Sequence, residues 1–184
     1  MKIKKIINLC KSSRSLTIYT DLATDMQWLS DGQALFPLYG LPLFDIDSFC
    51  NTYDINDNLK SKMNMRILEE LPAGFDFNDS NNFETEVEKM PMSLNYADFN
   101  VLALKTETGI KFIERKYLSL FSDYCNSDLT IFERTGNAGH DYIVVKNGFN
   151  IIGIILPVEL LNRSFLDEAK TFVTQLEMTL DNIF

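Results

Sequence analysis

The chain has 184 residues, 46% of them hydrophobic, with 14 Phe and 7 Tyr. That supplies a proper core and excludes a disordered chain or a disulfide-stapled miniprotein. Its 17 Lys and Arg against 26 Asp and Glu leave a net charge of −9, so the molecule as a whole repels nucleic acid, and any such contact needs a local basic face.

The first fourteen residues, MKIKKIINLCKSSR, carry five positive charges and no negative one. Ile3, Ile6, Ile7 and Cys10 recur at helical spacing and predict an amphipathic helix over 2–13, with Lys4, Lys5, Asn8 and Lys11 on the other faces. The apolar run 6–10 is too short for a secretion signal and lacks a small-residue cleavage site. No run approaches the ~18 apolar residues of a membrane span. Cys10, Cys50 and Cys125 show no CxxC spacing and read as reduced thiols, which together with the missing span predicts a cytoplasmic protein.

Three short strands are expected next, at 16–20, 26–29 and 33–38, with a hairpin turn at Ser30-Asp31-Gly32 and Trp28 as a core anchor. Periodicity loosens over 40–91, which reads as a partly ordered insertion between a first half (1–39) and a second half (92–158). Within it, 47–53 suggests a helical turn and 62–68 an edge strand. Asp45, Asp47, Asp54 and Asp57 read as helix caps and surface acids rather than a magnesium site.

The second half predicts strands at 92–96, 101–105 and 110–113, then a helix over 115–125 with Tyr117, Leu118, Phe121 and Tyr124 inward and Arg115, Ser119 and Ser122 outward. Strands at 129–134, 142–146 and 149–156 follow. A helix with an antiparallel three-strand meander thus occurs twice. In 159–184, Leu166, Ala169, Val173, Leu176, Leu180 and Ile183 are spaced 3, 4, 3, 4, 3, a heptad-like stripe that predicts a helix docked on its own domain or on another chain. The expected contact residues are Leu166, Val173, Leu176 and Leu180.

Catalytic constellations are not apparent. His140 is the only histidine and falls in a turn, so no Cys-His or Ser-His pair is supported. One His and three scattered Cys do not make a zinc site, and Gly136-Asn137-Ala138-Gly139 falls short of a phosphate-binding loop. The expectation is a protein with no enzymatic activity, no metal and no cofactor.

The stretch 110–158 resembles the end of the third domain of the bacterial DNA sliding clamp, the β subunit of the replicative polymerase. Phe112-Ile113-Glu114-Arg115-Lys116-Tyr117-Leu118 matches its strand-to-helix F-N-x-K-Y-L pattern. Ile151-Ile152-Gly153-Ile154-Ile155-Leu156-Pro157-Val158 matches its closing strand. The chain is also similar to single-domain prophage proteins of low-GC Gram-positive bacteria. The resemblance implies an α+β, DNA-clamp-like domain (residues 1–184) of antiparallel sheet with two packed helices, plus the insertion and the added C-terminal helix. It further implies an accessory protein of phage or mobile-element DNA metabolism. Double-stranded DNA would be touched weakly by Lys4, Lys5, Lys11 and Arg115, with Lys116 at the edge. A replication protein and further copies of the chain are the other implied partners. An interaction module that kept this fold and lost DNA is the alternative.

Overall fold

The computed structural model describes residues 3–96, 98–124, 129–137 and 139–181. Helix α1 (Ile3–Ser13) buries Ile6, Ile7 and Cys10, the stripe their spacing predicts. Arg14 then adopts φ +56°, the left-handed conformation that ends a helix, and turns the chain into β1 (Ser15–Asp21). Strands β2 (Met26–Ser30) and β3 (Ala34–Pro37) form the expected hairpin, with Ser30 opposite Leu35. Its turn is held by the Asp31 carboxylate, which accepts the amides of Gln33 and Ala34 at 3.0 Å, while Gly32 takes φ +99°.

The segment 40–91 is more closely integrated than an insertion. It contains α2 (Ile46–Thr52), α3 (Asp57–Lys60), β4 (Asn64–Leu68) and β5 (Thr85–Glu86). Phe44, Phe49, Cys50, Ile55 and Met63 are buried in the main core. Its entry is clamped by Gln27, whose side chain accepts the Phe44 amide and donates to the Phe44 carbonyl. Asp45 does cap a helix: its carboxylate accepts the Ser48 amide in a capping box at the start of α2. Strand β4 then pairs with β1 in parallel, so the sheet is mixed rather than wholly antiparallel. The two helices supply the crossover that parallel pairing requires.

The second half comprises β6 (Glu88–Tyr96), β7 (Phe99–Thr106), β8 (Gly109–Glu114), α4 (Arg115–Ser119), β9 (Leu129–Thr135), β10 (Asp141–Asn147), β11 (Asn150–Ile155) and α5 (Arg163–Asp181). The large sheet runs β4-β1-β2-β3-β11-β10-β9-β5, and β6-β7-β8 form a second sheet. In the large sheet the meanders β1-β2-β3 and β9-β10-β11 meet at β3 and β11, where Leu35 lies opposite Ile154 and Ala34 opposite Ile155. Each meander follows a helix, α1 or α4, so the order is symmetric about that junction.

Both helices lie on one face. Ile6, Ile7 and Cys10 of α1 share a buried cluster with Tyr117, Leu120 and Phe121, and with Ile18, Leu29, Phe36, Ile143 and Ile155 from the sheet. Trp28, Leu35, Tyr142, Val144, Ile151 and Ile154 point to the opposite face, where Leu71, Phe75 and Phe77 cover them. Alternation along the strands decides which residue faces which layer.

The helix expected over 115–125 is shorter. After Ser119 the amides of Leu120, Phe121, Ser122 and Tyr124 each reach back three residues rather than four. This tightening puts Leu120 on the same side as Tyr117, and both are buried. Cys125 lies outside the described residues.

Candidate interaction surface

The five predicted cations do not form one free basic wall. Lys4 and Arg115 are exposed and Lys11 is half-buried, and among the described residues none of the three makes an ion pair. Lys5 instead reaches across to the chain after α4, 3.3 Å from the Asp123 carboxylate and 3.5 Å from the Ser122 hydroxyl. It thereby joins the two helical segments side by side. Lys116 sits 2.9 Å from Glu114 and 4.9 Å above the Tyr117 ring, so its charge too is shared within the chain.

Arg115 opens into a cleft of about 510 Å³ between α4 and β6, lined by Met90, Leu102, Leu118 and Phe121. Lys89, which is not among the predicted cations, lines the same cleft. Its only sequence signal is a single lysine ending an acidic run, and nothing local ties it to Arg115.

A second cleft, of about 650 Å³, lies beside β8 and the chain after β11 and contains His140, Lys111 and Asp141. Lys111 donates to Asp141 at 2.6 Å, and Thr135 donates to the same carboxylate at 2.8 Å. These bonds hold the Asp141 carboxyl below its ordinary pKa. Cation and carboxylate neutralise one another here, and His140 is exposed in its loop.

Two further groups of chemically versatile type, Cys10 and Tyr117, are engaged otherwise. Burial, then the charge of Asp31, pushes the Cys10 thiol well above its ordinary value, which keeps it protonated and inert as a nucleophile. The same two influences raise Tyr117, whose hydroxyl donates to Asp31 at 2.9 Å. This contact ties α4 to the β2–β3 turn.

The acidic, Asn-rich segment 76–84 wraps around a protein cation. Arg134, 1% exposed, donates through Nε and Nη2 to Glu84 at 2.8 and 2.6 Å, and through Nη1 to the carbonyls of Asp76 and Asn78 at 2.9 Å. Lys146 donates to the other Glu84 oxygen. Burial works to raise the Asp76 carboxyl, but amide donors from Asn78 and Asn81 with the nearby Arg134 charge outweigh it and hold the group below its usual value. Carboxylates in a stretch expected to be only partly ordered are therefore held by a buried guanidinium.

Helix α5 stands off the body. Asn162 caps its start by accepting the Phe165 amide at 2.9 Å, and Phe165 packs edge-on against Tyr96 and Phe112 with centroids 5.0 and 6.1 Å away. Beyond Ala169 every residue through Leu180 is exposed. The predicted contact residues Leu166, Val173, Leu176 and Leu180 are 45–56% exposed, so docking on the same chain ends after the first turns. None of the helices among the described residues is long and apolar enough to cross a membrane.

No protein-family model, curated protein or solved structure matches the chain.

Proposed function

We propose that this chain is a non-enzymatic interaction module with a clamp-like arrangement of two helix-plus-meander halves, and that α5 is the element through which it associates with protein. The observation that carries the reading is the row Leu166, Val173, Leu176 and Leu180 on α5, each about half exposed to solvent. Leaving a Leu or Val exposed forgoes about 1.5–3 kcal/mol per side chain, and several adjacent ones in one row mark a contact surface. Sedimentation should show a species heavier than the 21.2 kDa protomer. The variant Val173→Ser/Leu176→Ser/Leu180→Ser should return it to protomer mass with its fold intact. A wild type at protomer mass at every concentration would sink the reading.

A second reading is favoured by Lys4, Lys11 and Arg115, which make no ion pair among the described residues and stand on two elements sharing one face of the sheet. Three cations meeting phosphates would give weak, sequence-independent duplex binding with a log–log salt slope near −2.7. The isolated chain should bind no tighter than ~10⁻⁴ M at physiological salt. Lys4→Glu/Lys11→Glu should abolish the salt-sensitive fluorescence anisotropy of a labelled duplex. Lys5→Glu is a poorer probe because Lys5 also holds Asp123. Wild-type anisotropy that never responds to salt would remove DNA from the account.

A further inference from the structure

We infer that α5 pairs with α5 of a second copy in antiparallel orientation. This rests on the reading of α5 as an association element and names its partner and geometry. The row Leu166, Ala169, Val173, Leu176 and Leu180 recurs at alternating steps of three and four, the seam of a two-stranded coiled coil. Two copies can lie along that seam in either direction, and three observations select one.

The first is charge. Lys170 and Glu177 each follow a seam residue, Ala169 and Leu176, and so border the same side of the row. Both are exposed, and among the described residues neither makes an ion pair within its own chain. When Val173 of one copy faces Leu176 of an antiparallel second copy, Lys170 faces Glu177 across the seam, and twofold symmetry repeats the pair. In a parallel dimer Lys170 would border Phe165 and Glu177 would border Phe172 of the second copy. Neither charge would then find a partner.

The second is volume. The same antiparallel register sets Ala169 against Leu180 at both ends, a small residue against a large one. On the far side of the seam it sets Phe172 against Thr179. A parallel dimer would stack Ala169 on Ala169 and leave a gap flanked by full layers, a loss of packing where the seam is shortest.

The third is access. Each body is attached at the start of its helix through Phe165, while 170–180 project clear. Antiparallel pairing places the bodies at opposite ends of a helix roughly 28 Å long. A parallel pair would crowd both bodies at one end.

The test uses the full chain and charge exchange. Lys170→Glu places two like-charge pairs across the seam, as does Glu177→Lys. Each should weaken dimerisation about fivefold or more by sedimentation equilibrium, since two surface pairs are lost and reversed together. The exchange Lys170→Glu/Glu177→Lys restores both pairs and should return the dissociation constant to within about twofold of wild type. Rescue supports the antiparallel seam. A dimer indifferent to the single changes, or one weakened by them and not rescued, overturns the pairing while leaving α5 an association element. A wild type that stays at protomer mass overturns both.

Discussion

Glu84→Ala should destabilise the folded chain by about 3–5 kcal/mol, which for a domain of this size lowers the melting temperature by roughly 10 °C. One carboxylate here is shared by two buried cations. Its oxygens accept from Arg134 and from Lys146, whose side chains are 1% and 6% exposed. Removing it leaves both charges in the interior, where Arg134 keeps the Asp76 and Asn78 carbonyls and the Asp76 carboxylate at 4.0 Å, while Lys146, among the described residues, keeps the face of the Phe132 ring at 4.7 Å. Arg134→Met is the instructive comparison. It leaves Glu84 and Lys146 as a balanced pair, leaves Asp76 its Asn78 and Asn81 donors, and fills part of the space with apolar atoms, so it should cost less than Glu84→Ala. It should also release the 76–84 segment, uncovering Trp28, whose ring packs against Phe77 at 4.8 Å. Urea denaturation of both variants, with tryptophan fluorescence as the probe, checks the order. If Arg134→Met proves the more damaging, the guanidinium's bonds to backbone carbonyls matter more than the charge balance.

That cradle shows where sequence periodicity stops informing. Apolar side chains at regular steps announce their own layer, which is why α1, the two meanders and the hairpin at Asp31-Gly32 are legible in the chain. The residues 76–84 fall in the stretch that reads as a partly ordered insertion because their partner, Arg134, lies about fifty residues on, in a strand whose other residues suit a core. A buried arginine looks like any strand arginine until its partners are known. The parallel pairing of β4 with β1 is hidden for a related reason: strand character is local, whereas direction depends on the path of α2 and α3. The basic face was legible as composition and not as charge. Lys5 is engaged by Asp123, 118 residues away, and Lys116 by Glu114 two residues before it. Helix α5 was the most legible element, because its stripe depends on nothing outside itself. What the stripe faces was not, since the heptad pattern is the same whether the cover is the same chain or another.

Gly153→Val should cost about 3 kcal/mol, although valine is the better strand former. The closing strand β11 is otherwise Ile-rich, and a glycine in such a run needs a reason. Here it is the ring of Phe121: a Cβ on residue 153 would come 2.6 Å from Phe121 Cζ and 3.5 Å from Phe36 Cδ1. Phe121 is 1% exposed and Phe36 lies 6.2 Å from it, centroid to centroid, so the ring gives up buried packing if it withdraws toward the cleft it helps to line. Strand propensity spans only about 1 kcal/mol, whereas overpacking a closed core costs up to about 3, and the clash wins. The consequence reaches the surface. Phe121 lies within the three-residue turns that follow α4, and its displacement carries Ser122 and Asp123 away from Lys5 and opens the cleft that Arg115 lines. A double-mutant cycle isolates the contact. Phe121→Leu removes the ring atoms that meet residue 153, so the double variant should be more stable than the sum of the single losses by about 1 kcal/mol or more. Strict additivity in urea denaturation would mean that the glycine is required for the path of β11 itself, and not for the ring that rests on it.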